Sequence, residues 1–367
     1  DAGPDPLLFD AERSLAAGML DGFSGAVLAL GPCGADLCGV AADGHFRRWS
    51  LPEGRSSSRR ALGGEPTAVV PGPDTWWIAL ADGDTLAIRG DSTERFPGAG
   101  PVAALGLCPP TSIRPPLRLD LDGSLRALQA GAPPRRLELP FIGRALACGP
   151  DEVVVASAEG ALHRPAGLAG PRVAWPAVPG SPAGVRALAL DPVTDRLMIG
   201  RSNGTTLVLA RIGSPVTHPG RLVTPLPGGV VTAGDDGALS FGVGTDRHTV
   251  AAHATAIVAH AFEPDAGLLA TAAADGGLRL STLPDLGAGW SLPGRRASSV
   301  TALAFVAGPT GGPVLVSGGA DGGVRAWPVS AADAVRAACR RLSVLGFPAD
   351  STADARSACA TARPPVP

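Results

Sequence analysis

The side chains that could do covalent or metal chemistry are few in this chain, and they are badly spaced for it. His248, His253 and His260 form the densest histidine group; His45, His163 and His218 stand apart. Three imidazoles could hold zinc if a fourth ligand joined them, but the spacing matches no zinc pattern, so no metal is expected. The six cysteines are too dilute for a disulfide scaffold. Cys33 and Cys38 flank a short hairpin turn and are read as small core-side residues, with a cross-link as the alternative. Cys108 and Cys148 end apolar runs and are expected to be buried. No nucleophile elbow, HExxH, Cys-x-x-Cys or phosphate loop occurs. The sequence contains no lysine, which removes Walker-type phosphate binding and Schiff-base chemistry. No catalytic residue and no cofactor is expected, and the chain is read as not an enzyme.

Recognition chemistry is better represented. Arginine supplies all 31 basic side chains and recurs in pairs: Arg47-Arg48, Arg59-Arg60, Arg135-Arg136, Arg295-Arg296 and Arg340-Arg341. Scattered solvated arginines are the favoured reading. The densest stretch, "GRSSSRR", marks Arg59 and Arg60 as candidate contacts for an acidic partner. Trp76-Trp77 is the sole aromatic doublet. On a strand its two rings point to opposite faces, so one is expected in the core and the other exposed or between sheets, where it could touch a partner. Asn203-Gly204-Thr205 has the form of a glycosylation sequon but is read as a turn.

These residues need a frame, and composition indicates which. Hydrophobic residues make up 45% of the 367 positions and charged residues 17%, with 50 Gly and 37 Pro. An apolar chain so rich in breakers must consist of many short elements joined by turns. A net charge of -2 gives no basic surface for nucleic acid, and no apolar run is long enough for a membrane span. The Asp1 start is read as processing or trimming of a longer chain. A cytoplasmic location is favoured, or a periplasmic or secreted one if that start reflects signal cleavage.

The short elements repeat. Turn anchors fall at Asp43-Gly44, Asp82-Gly83, Asp122-Gly123, Glu159-Gly160, Asn203-Gly204, Asp236-Gly237, Asp275-Gly276 and Asp321-Gly322, in steps of 39, 40, 37, 44, 33, 39 and 46 residues. Asp-Gly and Asn-Gly signal two-residue hairpin turns, because both central residues tolerate positive φ. Each anchor follows one apolar run and precedes an alternating one. A further run upstream ends in Pro or Gly, as in "RALACGP" and "VRALALDP". Strand, turn, strand, tight turn, strand and a less regular fourth strand in about 40 residues make one propeller blade. The sixth unit compresses its first strand.

Two phrases, "AFEPDAGLLATAAADGGLRLSTL" and "AFVAGPTGGPVLVSGGADGGVRAWPV", resemble the repeat of bacterial WD-repeat β-propellers in order and spacing. The resemblance spans roughly residues 11–329 and is strongest in the last two units. It implies an all-β fold: a single closed β-propeller of four-stranded antiparallel blades, eight of them, with seven as the alternative. It also implies a hydrogen-bonded set of His, Ser or Thr, turn Asp and Trp in each unit, which is incomplete throughout. The seventh unit offers His253, Thr271 and Asp275 but puts Ser281 at the Trp position. The eighth offers Ser317, Asp321 and Trp327 but no His. The first offers Asp43 and Trp49. Three units put Ile88, Leu128 and Leu209 at that position, which keeps an apolar residue there, and Asp82, Asp122 and Asp236 are read as turn residues of the repeat.

Residues 1–329 are therefore expected to form the propeller. "AERSLAAGML" should supply the fourth strand of the last blade, closing the ring without open sheet edges. Residues 330–367 should form a short α-helical tail, from an N-cap at Ser330. Its Cys339 and Cys359 are either buried apolar residues or a disulfide joining two helices. The function implied is a non-catalytic protein-interaction scaffold or sensor. It would recognise a protein partner through loops on a propeller face, as part of, or paired with, a larger bacterial multidomain or effector system. The alternatives are a lactonase- or quinoprotein-like propeller enzyme, or a structural subunit of a larger assembly.

Overall fold

The computed structural model describes residues 18–20, 22–50, 55–72, 74–98, 100–108, 115–129, 136–165, 175, 184–191, 195–210, 216–219, 222–226, 229–243, 246–283, 286, 290–292, 299–308 and 312–329. The expected tail helices, with Cys339 and Cys359, lie outside them. Among the described residues every regular element is a strand. The strands form eight antiparallel sheets in chain order, here numbered 1 to 8. Seven have four strands, and sheet 4 has three.

The first strands are Val27–Cys33, Pro66–Pro71, Val102–Gly106, Gly143–Cys148, Val185–Asp191, Leu222–Leu226, Ile257–Glu263 and Val300–Ala307. Each touches the first strand of the next sheet, except between sheets 5 and 6. There the contact comes from the second strand of sheet 5, Arg196–Arg201. The first strand of sheet 8 in turn touches that of sheet 1. Sheet 8 takes its outer strand from the N-terminal side of the chain: Gly18–Leu20 pairs antiparallel with Val324–Pro328, Met19 opposite Arg325.

Apolar side chains meet between neighbouring sheets. Val27, Leu37 and Trp49 of sheet 1 pack on Ala302 and Val316 of sheet 8, and Leu119 of sheet 3 meets Leu146 and Val155 of sheet 4. A second strand is covered on both faces, so Trp76–Leu80 and Leu268–Ala273 are buried throughout. This explains their continuous apolar sequence. Outer strands keep only an occasional buried residue, as in Ser92–Phe96.

The eight anchors all form turns, but not of the expected kind. Only the glycine has positive φ, from +75° at Gly44 to +96° at Gly83. Each glycine N–H donates to the carbonyl three residues back, as Gly44 does to Ala41. Ala41 and His45 are register partners, so the loop holds three residues, not two. This is a type I turn followed by a left-handed glycine, and it leaves the preceding Asp at negative φ. The Asp earns its place differently: its Oδ1 accepts the N–H two residues on, at 2.8 to 3.1 Å, in the turns of Asp43, Asp82, Asp122, Asp236, Asp275 and Asp321. Asn203 does the same to Thr205, which makes it a turn residue. In sheet 4 the Ser157 hydroxyl accepts from Ala161 N instead.

Candidate functional site

Seven of the eight first strands open with the same irregularity. The register to the second strand slips at one residue: Leu28, Thr67, Ala103, Arg144, Arg186, Val258 or Thr301. Such a β-bulge re-aims the side chain of the extra residue. The residue before each bulge is buried or half-buried, whereas six of the seven bulge residues are exposed and Ala103 is half-buried. Because the first strands lie side by side, the bulges bring these side chains to one end of the molecule. Sheet 6, whose first strand looked compressed in sequence, pairs Leu222–Leu226 without a slip.

The Asp-Gly turns share that end. The residue ahead of each bulged first strand accepts a backbone hydrogen bond from the turn of its own sheet, as in Ala42 N to Ala26 O, Ala158 N to Ile142 O, Ala274 N to Ala256 O and Ala320 N to Ser299 O. The four large hydrophobic side chains that stand exposed among the described residues all belong here. Leu28 and Val258 are bulge residues, each 41% exposed; Ile142, 51% exposed, directly precedes the first strand of sheet 4. Leu121, in the turn of sheet 3, donates its N–H to Pro101 just ahead of another first strand.

Polar groups at this end divide into satisfied and spare. Thr301 Oγ1 donates to Val27 O at 2.6 Å, and Thr67 Oγ1 to Ala79 O at 3.3 Å. Asp43 accepts from both the backbone N–H and the hydroxyl of Ser24, at 2.9 and 2.8 Å. Burial by itself would raise its pKa; the Ser24 bonds and His45 outweigh that and hold it below the usual carboxylate value. Asp82 is paired with Arg95 at 2.6 Å, Asp122 with Arg136 at 3.3 Å, and Asp321 with Arg325 at 3.3 Å. Arg144 and Arg186, in contrast, make no ion pair or side-chain hydrogen bond among the described residues.

The contacts expected from sequence are placed elsewhere. Trp76 and Trp77 are both buried, at 1% and 8% exposure, so neither is open to a partner. Trp76 packs edge-on to Phe46 between sheets 1 and 2, and Trp77 meets Phe96 in the cluster with Leu128. A strand between two neighbouring sheets has no solvent face, so both rings of the doublet find a core. Arg60 donates to Asp91 O at 2.8 Å and Ser92 O at 3.2 Å, which clamps sheet 1 to sheet 2. Arg59 is exposed, with its Nη2 at 3.4 Å from His45 Nδ1. Arg47 lies over the Phe23 ring, and Arg48 pairs with Asp36 at 2.6 Å.

The cysteine reading needs correction. Cys33 is bonded to Cys38, and Cys108 to Cys148. The second bond joins Cys148, the last residue of the first strand of sheet 4, to Cys108, two residues past the first strand of sheet 3, with Cα atoms 4.8 Å apart. Positions one repeat apart occupy equivalent places on adjacent strands, which makes such a bridge geometrically natural. At the opposite end from the bulges, a cleft of about 520 Å³ between sheets 1 and 2 is lined by the Cys33–Cys38 hairpin, Arg48, Trp76 and Arg89.

The repeat's side-chain set is present in fragments. In sheet 8 Trp327 Nε1 donates to Ser317 Oγ at 2.8 Å. In sheet 7 His253 Nε2 lies 2.9 Å from Thr271 Oγ1, and burial lowers the pKa of this imidazole. Ser281 is fully buried, and its hydroxyl has no partner among the described residues. Trp49 is buried edge-on to Phe23, and Gly39 against its ring must stay small: a Cβ there would come within 2.8 Å of Leu30 and 3.1 Å of Trp49. Among the described residues no three His, Cys, Asp or Glu side chains gather to hold a metal.

The bulge residues carried a signal that sequence reasoning passed over. Each stands directly before an alanine of the first strand: Ala29, Ala68, Ala104, Ala145, Ala187, Ala259 and Ala302. "RLVTPL" of sheet 6 lacks that alanine and lacks the bulge.

No family model and no curated protein matches the sequence. Solved structures do match the fold. The computationally designed Ika8 protein is 20% identical, with a TM-score of 0.66 over 86% of this chain and 100% of its own. Sqt1 of Saccharomyces cerevisiae is 13% identical, with a TM-score of 0.67 over 86% of this chain and 99% of its own. Together with the repeated four-stranded sheets, these likenesses suggest a β-propeller fold. At such identities they speak to fold alone.

Proposed function

We propose that residues 1–329 form a closed eight-bladed propeller serving as a non-catalytic protein-interaction scaffold or sensor, with its partner seated on the end that carries the bulges. The observation behind this reading is the placement of the exposed large hydrophobics: Leu28, Leu121, Ile142 and Val258 all stand at that end, where they offer a partner apolar contacts. The eight sheets, the contact of sheet 8 with sheet 1 and the outer strand supplied by Gly18–Leu20 support the closed ring. A partner in a larger multidomain or effector system suits a rigid frame that presents irregular side chains from regular strands. The two disulfides favour an oxidising compartment over the cytoplasm expected from sequence.

The test is affinity capture from an extract of the native organism with three baits. These are the unaltered chain, a Leu28→Asp/Ile142→Asp/Val258→Asp variant, and an Arg89→Ala variant altered at the opposite end. Circular dichroism and melting curves check that all three are folded. Proteins captured by the unaltered chain and by Arg89→Ala should be lost from the triple variant. Identical capture by all three would defeat the reading.

A further inference from the structure

We infer that the partner presents an acidic segment to this end, a carboxylate-bearing stretch with an apolar side chain, held by Arg144 and Arg186 beside Ile142. The inference deepens the partner-binding reading and rests on it. Arg144 and Arg186 are bulge residues of sheets 4 and 5, whose first strands touch. Both are exposed, and neither has an ion pair or side-chain hydrogen bond among the described residues. The anchor acids at the same end are already engaged. Asp82, Asp122 and Asp321 each face an arginine, Asp43 faces Ser24 and His45, and Asp236 and Asp275 accept turn N–H groups. The acid of sheet 4's own turn, Glu159, is held low by its own backbone and by Ser157 rather than by an arginine.

The two guanidiniums are therefore open to a ligand, and each offers a planar fork suited to a carboxylate. The equivalent bulges of sheets 2 and 8 carry threonines bonded to backbone carbonyls, which leaves them little to offer a ligand. Ile142, two residues before Arg144 and 51% exposed, adds an apolar contact beside the charge. Charge complementarity thus selects an acidic occupant, and the apolar neighbour selects a peptide over a bare polyanion.

The probe is a fluorescein-labelled eight-residue peptide of glutamates with one central leucine, followed by fluorescence anisotropy. Its glutamine and lysine counterparts and a labelled oligo-dT serve as comparisons. The glutamate peptide should bind the unaltered chain more tightly than the other three and weaken as salt rises. Arg144→Gln/Arg186→Gln should weaken it about tenfold or more, and Arg144→Lys/Arg186→Lys should restore part of the loss. Binding undiminished in the glutamine variant, or oligo-dT binding in place of the peptide, would overturn the inference. In the capture experiment, loss of partners from the Asp triple variant but not from Arg144→Gln/Arg186→Gln would sink the acidic-segment inference and leave the partner face standing. Loss from neither would remove both.

Discussion

Sheets 3 and 8 answer the same problem at the same repeat position with opposite chemistry. Four residues before the turn aspartate, sheet 8 carries Ser317 and sheet 3 carries Arg118. Ser317 is fully buried and accepts one neutral bond from Trp327. Arg118 is just as buried, yet it pairs with Asp120 and donates to Thr85 Oγ1 of sheet 2 and to Gly100 O, both at 2.9 Å. Ser124 Oγ donates to Asp120 at 3.1 Å. Arg126 brings its Nε to 2.9 Å from the same carboxylate, close enough for an ion pair but not aligned for a hydrogen bond. A hydroxyl ties strands within one sheet. The longer arginine crosses to the neighbour, but it does so with a buried charge that must remain fully partnered.

This contrast divides the molecule. Sheets 1 to 4 rely on charge and covalent bonds: the Arg118 group, Glu152 with Arg164 at 2.9 Å, and two disulfides. In sheets 7 and 8 the interior side-chain bonds are neutral and set in apolar packing, and the Asp321–Arg325 pair lies at the turn. The two halves should therefore fail under different conditions.

The largest effect should come from Arg118→Ala. It strands the Asp120 carboxylate among buried neighbours and should cost about 3–5 kcal/mol in denaturant unfolding. Replacing Arg118 and Asp120 together by leucine should cost less than Arg118→Ala alone; an equal or larger cost would break the ionic account of sheet 3. Next comes loss of the bridge between sheets 3 and 4. Cys108→Ser/Cys148→Ser, or reduction of the native protein, should lower stability by about 2–4 kcal/mol. Non-reducing peptide mapping should recover the 108–148 and 33–38 links, and free thiols at these positions would remove the contrast.

The smallest effect belongs to sheet 7. Burial lowers the His253 pKa from 6.5, with Arg279 adding to this and Asp275 opposing it. Above about pH 6.5 the imidazole is neutral in both states. As the pH falls below that, the unfolded chain takes up the proton first, so stability declines until the folded-state pKa is reached. Melting temperature should therefore drop between pH 7 and 5, and His253→Gln should flatten that slope. The flattening should be partial, because His260 is lowered by burial as well. An unchanged slope would show that sheet 7 does not depend on the neutral ring.

Periodic features of this architecture were legible, and side-chain environments were not. The eight anchors fell on eight turns, because glycine and a short acceptor side chain act through local backbone chemistry alone. The turn type was misjudged: Asp-Gly fits both a two-residue and a three-residue loop, and the register between the paired strands decides. For Trp76-Trp77 a single strand leaves one ring either exposed or between sheets; a neighbouring sheet on each side covers both rings, so the between-sheets alternative holds and the partner contact does not. Arg118 carries no motif of its own, though counting back four residues from Asp122 places it in the hydroxyl position of the repeat. Arg144 and Arg186 were passed over because they are not a doublet in sequence.

By itself, then, the sequence determined the strand-and-turn rhythm and the places of its turn anchors, since turn chemistry and apolar periodicity act over a few neighbouring residues. Tertiary structure decided which residues became partners. Cys108 meets Cys148, Arg118 meets Thr85, and the bulges of separate sheets gather at one end, because strands one repeat apart in sequence lie side by side in space. That adjacency turns scattered single residues into a bridge, an ion cluster and a candidate binding face.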